Sequence, residues 1–272
     1  TSLEIKVEER TSQLAEANDR LSNANQELIQ MEASRRSLIS NISHELRTPL
    51  TSIQGYVKAL KDGTIKEHSD RYLDLVYRKA QMLEHIFKDL LLLSRLEARK
   101  LEFYLESMPA VELIRNLFEM YAWDVMKDGH EVLLEYDEET MKERDLTVLA
   151  DPVRLEQVFA NLILNAKKYT PTGGSIHVKA DILLGEDRLE YLRVSITDTG
   201  SGISEDELEH VFVPYYRGEG ARKSKRSGTG LGLAIAKEII DVHHGRIGVD
   251  SRKEEGSTFY FMLPVAIRGD AK

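Results

Sequence analysis

The first residues with evident chemical potential lie in SNISHELRTPLTSIQGY, residues 40–56, where His44 and Glu45 are adjacent. A zinc-protease helix needs a second histidine four residues after the first, so that two imidazoles lie one turn apart. Thr48 occupies that position, and the chain has no cysteine that could complete a metal site. We therefore reject the zinc interpretation of His44.

The helical pattern around His44 directs its side chain towards solvent, away from a core. One apolar face of this segment is formed by Ile42, Leu46, Leu50, Ile53, Val57 and Leu60. His44 lies about 200° round the helix from Ile42 by the 3.6-residue repeat. Glu45 can accept one imidazole N–H, which leaves the other nitrogen with a lone pair for attack. Pro49 removes a hydrogen-bond partner of the Glu45 carbonyl and predicts a bend there. A nucleophilic histidine and an ordinary exposed one both remain open.

Two glycine-rich loops in the second half of the chain allow close approach of a phosphate-bearing ligand. DTGSGI, which starts at Asp198, follows a predicted strand, and GTGLGLAIAK, which starts at Gly228, precedes a predicted helix. Free N–H groups at the N-terminus of that helix can hold an anion. No glycine-rich turn is followed by the Gly-Lys-Ser/Thr of a P-loop. The pair of loops indicates a nucleotide site of another kind.

A predicted helix adds polar groups of the types that bind nucleotides. In NLILNAKKYT, Asn161 and Asn165 lie one helical turn apart on one face. Asn165 can give an amide oxygen to Mg²⁺, Lys168 can contact a phosphate, and Tyr169 offers a ring for a base to stack on. In VFVPYYRG, Arg217 suits a phosphate as well.

The elements that must position these residues begin with a long helix. A heptad pattern without glycine or proline runs from residue 3 to about 38, with its apolar positions at Val7, Leu14, Ala17, Leu21, Ala24, Leu28, Met31 and Leu38. Four heptads favour a two-stranded coiled coil over a helix packed on its own domain, and therefore a homodimer.

Three domains are predicted. Residues 1–38 form a coiled-coil signalling helix, and residues 39–101 form a helical hairpin that gives a four-helix bundle in the dimer. Residues 102–268 form an α+β two-layer sandwich, in which LEFYLES, EVLLEY, LTVLA, SIHVKADIL, YLRVSIT, RIGVDS and STFYFMLP are the strands. The fold class is thus all-α followed by α+β.

Composition excludes several classes of function. The net charge of −9 argues against nucleic-acid binding, because the phosphate backbone would repel the protein. The absence of cysteine favours a reducing compartment. No apolar run approaches the length needed to cross a bilayer, so we expect no membrane contact within this chain. The chain starts at Thr1, so we expect the cytoplasmic portion of a longer protein anchored in the cell membrane.

Five segments together resemble the sequence boxes of the bacterial sensor histidine kinases, in that family's order and spacing. SHELRTPL resembles the H box, NLILNAKKYTPTGG the N box, DTGSGI the first glycine box, VFVPYYRG the F box and GTGLGLAIAK the second glycine box. The resemblance extends from the coiled coil to Pro264. The one departure is Tyr215, where the family often has phenylalanine, and we expect it to be tolerated.

The resemblance implies a chemistry for the first box. His44 would receive the γ-phosphoryl group of ATP, with Glu45 as its acid/base partner. Thr48 matches the position that orients water when the family removes phosphate from a response regulator. The implied partners are a second copy of the chain and the receiver domain of a response regulator.

The resemblance also implies a nucleotide site. Asp198 would bond the adenine amino group, Asn165 would hold Mg²⁺, and residues 218–228 would form a mobile ATP lid. The expected ATP-binding residues are Asn161, Asn165, Lys168, Tyr169, Asp198, Gly200, Gly202, Arg217, Gly228, Thr229, Gly230, Leu231 and Gly232.

Two other functions compete with phosphotransfer, namely ATP hydrolysis and nucleotide binding without transfer. Related ATPases of the chaperone, gyrase and mismatch-repair classes place a glutamate that activates water at the first N-box position. Asn161 stands there in this chain, and an amide cannot take a proton from water near neutral pH. A scaffold that binds nucleotide without transferring it is disfavoured by the presence of His44, Glu45, Asn165 and both glycine loops.

Overall fold

The computed structural model of this chain describes residues 2–64, 69–218 and 229–267. They divide into two compact units, residues 1–83 and 84–272. Along the described ranges no helix is both long enough and apolar enough to span a membrane.

The first unit is helical. Helix α1 spans Ser2–Lys61 and continues through Pro49, and helix α2 spans Ser69–Glu97, with its residues from Glu84 onward in the second unit. Helix α1 ends at Lys61, and a turn follows with Gly63 at φ +66°. Tyr56 and Tyr72 lie in tilted contact, with 5.8 Å between ring centroids, and join the two helices.

The second unit is an α+β domain. In chain order its elements are β1 Glu106–Pro109, α3 Ala110–Lys127, β2 Glu131–Tyr136, α4 Glu138–Glu143, β3 Leu146–Ala150, α5 Pro152–Tyr169, β4 Ser175–Leu184, β5 Glu190–Asp198, α6 Glu205–Leu208, α7 Gly232–Val242, β6 Arg246–Arg252 and β7 Gly256–Ile267. All seven predicted strands are therefore present. LEFYLES was predicted too early, since β1 begins only at Glu106, and α4 and α6 were not predicted.

The seven strands form one mixed sheet in the order β1-β3-β7-β5-β4-β2, with β6 pairing with β7. Only β2 and β4 are parallel, and the other pairs are antiparallel. Strand β4 alternates as its sequence predicts, with Ile176, Val178 and Ala180 buried on one face.

Helices α3, α5 and α7 cover the sheet, and α5 and α7 pack side by side. The core between the layers contains fully buried Phe159 of α5, Ile196 of β5 and Phe261 of β7. The two-layer sandwich is confirmed. Helix α5, which carries one of the motifs, packs against β5, which ends in a second, and α7, which belongs to a third, packs beside α5.

Candidate functional site

The histidine of the first motif lies on the surface of α1. His44 is exposed, as the helical pattern predicted, while Glu45 is half-buried and Pro49 is buried. The Thr48 hydroxyl donates a hydrogen bond of 3.1 Å to the carbonyl oxygen of His44. The His44 imidazole is thus accessible to a second reactant. The bend at Pro49 stays a prediction.

Asp198 lies at the end of β5 and is only 4% exposed. Its Oδ1 accepts a hydrogen bond of 2.7 Å from the Gly200 N–H. Burial raises the pKa of the Asp198 carboxyl, and the N–H groups of Gly200 and Ser257 oppose this by stabilising the charged form. A buried acceptor of this kind can recognise an N–H donor of a ligand.

The first glycine loop makes backbone contacts that a side chain would prevent. A Cβ on Gly200 would lie 2.8 Å from the carbonyl oxygen of Tyr169, and a Cβ on Gly202 would lie 1.9 Å from that of Arg252. Gly202 also has a φ of +63°. The loop therefore brings Asp198 beside the end of α5 where Tyr169 lies.

The polar residues of α5 share one face. Asn161, Asn165, Lys168 and Tyr169 are spaced by four, three and one residues and are all half-buried. The Lys168 Nζ lies 4.8 Å from the centroid of the Tyr169 ring. The Asn161 Nδ2 donates a hydrogen bond of 2.8 Å to the carbonyl oxygen of Gly232 at the start of α7. Asn161 thus ties α5 to the second glycine loop.

The second glycine loop is held from two sides. The Tyr215 N–H donates to the Gly230 carbonyl at 2.8 Å, and Gly230 has a φ of +70°. The Leu231 N–H donates to the Thr229 hydroxyl at 3.2 Å. Arg217 is half-buried nearby in sequence. Gly228 and residues 219–227 of the expected lid lie outside the described residues.

One buried polar group in the same unit was not predicted. His243, 4% exposed at the end of α7, accepts a hydrogen bond of 2.9 Å from the Asp151 N–H through Nε2. Its Nδ1 lies 2.7 Å from the Ile239 carbonyl, to which it donates in the neutral tautomer. Asp151 caps α5 by accepting from the Arg154 N–H. The Asp-Pro pair at residues 151–152 signals this cap, whereas nothing in the sequence singles out His243.

The expected site residues therefore fall into two groups. His44, Glu45 and Thr48 lie in the first unit. In the second unit, direct contacts connect Asp198 with the first glycine loop and the end of α5, and connect Asn161 with the second glycine loop. Ser257, which contributes an N–H to Asp198, was missed because a backbone donor leaves no side-chain signal.

The second group suits a purine nucleotide. A buried acceptor, the half-buried ring of Tyr169 and two glycine-rich loops can accommodate a base and phosphates. Among the described residues no cluster of three or more His, Cys, Asp or Glu could hold a metal ion. A hard cation held by the Asn165 amide oxygen and by phosphate oxygens is compatible with this donor set.

Two family models match the chain. Residues 34–99 match the His Kinase A (phospho-acceptor) domain. Residues 150–267 match the histidine kinase-, DNA gyrase B- and HSP90-like ATPase domain. The first match contains His44, and the second contains both glycine loops.

Curated relatives of this chain are named as sensor kinases. The sensor histidine kinase WalK of Bacillus subtilis is 36% identical over 236 residues, which are 86% of this chain and 37% of WalK. The autoinducer 2 sensor kinase/phosphatase LuxQ of Vibrio parahaemolyticus is 31% identical over 94% of this chain and 29% of LuxQ. The chain thus spans well under half the length of these relatives.

Solved structures agree. The histidine kinase AdeS of Acinetobacter baumannii superimposes with a TM-score of 0.61 at 25% identity, over 81% of this chain and 97% of AdeS. Histidine kinase ThkA, in its complex with the response regulator protein TrrA, gives a TM-score of 0.65 at 26% identity, over 86% of this chain and 62% of ThkA.

Proposed function

Because this chain belongs to the histidine kinase family, we propose that it phosphorylates its own His44 with ATP. The phosphoryl group then passes to an aspartate of a response-regulator receiver domain. The observation that carries this proposal is an exposed histidine within the phospho-acceptor match, in a chain that also has an ATPase-family domain with a buried carboxylate at its first glycine loop. The rival ATPase function lacks its glutamate, because Asn161 stands at that position and is hydrogen-bonded to Gly232.

The proposed step is an in-line displacement at phosphorus. A lone pair on one imidazole nitrogen of His44 forms the N–P bond, while the bond from the γ-phosphorus to the bridging oxygen breaks and ADP leaves. Glu45 accepts the proton of the other imidazole nitrogen as the N–P bond forms, so that the ring of the phosphohistidine carries no charge. Thr48, one turn further along α1, orients the water that hydrolyses the phosphoaspartate of the regulator and releases inorganic phosphate.

The nucleotide site works by positioning and charge neutralisation. Asp198 accepts from the adenine amino group, and the Tyr169 ring stacks on the base. Lys168 and Arg217 contact phosphates, as do the N–H groups of the two glycine loops. Mg²⁺, held by Asn165, would neutralise phosphate charge as the γ-phosphoryl group departs.

We assign a homodimer to the chain through the heptad face of α1. Leu14 and Leu21, both predicted at apolar heptad positions, are 71% and 70% exposed. Two exposed leucines one heptad apart suit contact with a second copy of the same helix. Sedimentation equilibrium would detect the dimer, and a monomer at all concentrations would contradict the assignment.

We propose that a response-regulator receiver domain is the partner of this chain, which the names of its relatives support. ThkA was solved with a response regulator, and LuxQ is named as both kinase and phosphatase. We extend both properties to this chain, and we place it on the cytoplasmic side of a longer, membrane-anchored sensor.

The decisive experiment is incubation with Mg²⁺ and γ-labelled ATP. We compare the wild-type chain with His44→Gln, and with His210→Gln as a control at another exposed histidine. The expected label stays on the protein in base, is lost in acid and is absent only from His44→Gln. Equal release of free phosphate by all three would establish an ATPase instead, and nucleotide binding without turnover would establish a scaffold.

A further inference from the structure

Asp89, which no sequence motif singles out, lies against the second glycine loop. It belongs to the part of α2 from Glu84 onward, within the same compact unit as the loop. Its Oδ2 is 3.5 Å from the Thr229 hydroxyl. The carboxylate is also largely withdrawn from solvent, since its side chain is 13% exposed.

A short relay connects this carboxylate to the N–H group of Leu231, the residue that precedes α7. The Thr229 hydroxyl accepts from the Leu231 N–H at 3.2 Å, and a hydroxyl that accepts can still donate its own hydrogen. In this structure that hydrogen faces Asp89. The relay therefore engages an N–H group of the kind that an anionic ligand uses at a helix N-terminus.

The environment of Asp89 is unfavourable for a negative charge. The basic group beside it is His85, whose Nε2 is 3.5 Å from the same Oδ2 and whose own side chain is 73% exposed. Burial raises the pKa of the Asp89 carboxyl, and His85 and Thr229 offset this only in part. At 3.5 Å the bond to Thr229 is long, and such a contact is weak enough to be exchanged for another.

We propose that Asp89 competes with nucleotide phosphate for the second glycine loop. When Asp89 lies against Thr229, its charge and the relay disfavour a phosphate at the start of α7. When the triphosphate binds, phosphate oxygens take the N–H groups and repel Asp89, so that α2 leaves the loop. Because residues 34–99 match the phospho-acceptor domain, this exchange couples nucleotide occupancy to the helix that follows His44 in that domain.

The inference rests on the proposed ATP site and adds a regulatory residue to it. Thermodynamic linkage makes this competition reciprocal. If the contact of Asp89 with the loop lowers nucleotide affinity by a given factor, bound nucleotide weakens that contact by the same factor. Adenosine carries no phosphate, so its binding should be insensitive to Asp89.

The test measures dissociation constants by calorimetry for a non-hydrolysable ATP analogue and for adenosine. Asp89→Asn keeps the shape and removes the charge, and Asp74→Asn removes an exposed charge elsewhere on α2. We expect Asp89→Asn to bind the analogue about fivefold more tightly or better, the lower end of ordinary allosteric coupling. Adenosine binding and the Asp74→Asn variant should match the wild type. Unchanged or weaker analogue binding by Asp89→Asn would overturn the inference.

A second variant keeps the test independent of the charge. The chain has no cysteine, so Asp89→Cys combined with Thr229→Cys provides a single possible disulfide within one chain, which non-reducing electrophoresis separates from a disulfide between two chains. We expect it to form without nucleotide, to form less readily with the ATP analogue, and to weaken analogue binding until reduced. Failure to form it would show that the contact is absent in solution. If the wild type binds neither ligand, the ATP site itself is refuted, whereas normal wild-type binding with no effect of either variant refutes only the role of Asp89.

Discussion

Replacing His243 should weaken the connection between α5 and α7, the two helices that adjoin the proposed nucleotide site. The imidazole bridges the Asp151 N–H at the start of α5 and the Ile239 carbonyl near the end of α7, at 2.9 and 2.7 Å. In His243→Leu the buried Asp151 N–H loses its acceptor, at a cost of about 1–3 kcal/mol, and the second bond adds about 1 kcal/mol. We expect the free energy of unfolding to fall by about 2–4 kcal/mol.

The same residue predicts a pH dependence of definite sign. Burial lowers the pKa of His243, with the Ile239 carbonyl and Asp151 opposing the shift. In the unfolded chain the pKa returns to about 6.5. Between that value and the lower folded value, the unfolded state binds more protons than the folded state. Stability from this group is therefore complete above about pH 6.5 and is lost as the pH falls, with a slope of at most about 1.4 kcal/mol per pH unit.

The assay is urea unfolding from about pH 5 to 7.5, the range that brackets an ordinary histidine pKa. Fluorescence of Trp123, the single tryptophan, reports on the second unit alone, and circular dichroism reports on the whole chain. His243→Gln keeps a possible acceptor for the Asp151 N–H but cannot titrate, so its slope should be shallower than that of the wild type. His44→Gln, at an exposed histidine, is the control and should keep the wild-type slope. An unchanged slope in His243→Gln, or full stability in His243→Leu, would refute the reasoning.

Three further substitutions test the second unit. Asn161→Ala removes the bond to the Gly232 carbonyl and should cost about 1 kcal/mol in urea unfolding, whereas a fully stable variant would show that the bond is dispensable. Gly256→Ala would place a Cβ 2.0 Å from the Asp198 carbonyl oxygen and should cost more than about 3 kcal/mol in thermal unfolding. Its control, Gly173→Ala, has a similar positive φ but open space and should cost only about 1–2 kcal/mol, so equal costs would contradict the steric argument. Asp198→Asn should weaken binding of an ATP analogue about tenfold in calorimetry without loss of stability, and unchanged affinity would remove Asp198 from the site.

Periodicity was sufficient to predict most of the fold. The steps of three and four through α1 and α2, and the alternation in β4, report directly on which face is buried, so these elements were placed within a few residues. LEFYLES shows the limit of that signal. Its alternating residues suggested a strand from Leu101, yet pairing with β3 starts only at Glu106, because a strand requires a neighbour and the neighbour ends at Ala150.

The sequence predicts which motifs are present, but it does not predict which residues of different motifs contact one another. The sequence indicates that Asn161 is polar on a helix, but only the packing of α5 against α7 shows its amide bonded to Gly232. The roles of His243 and Ser257 depend on partners 92 residues away in one case and on a backbone N–H in the other. Spacing rules operate within one element, whereas these contacts join elements that are distant in the chain.

Helix α5 is held by contacts at its start, its middle and its end, and these contacts position the residues of the proposed site. At its start Asp151 accepts from the Arg154 N–H and donates its own N–H to His243, in its middle Asn161 is bonded to α7, and at its end the Tyr169 carbonyl lies against Gly200. A helix held at three places keeps its ligand-facing residues in position before the ligand binds. The loss of conformational entropy of these residues then occurs during folding and does not reduce the affinity for the ligand. Substitutions at these fixed points should accordingly weaken nucleotide binding even though His243, for one, is assigned no contact with the nucleotide.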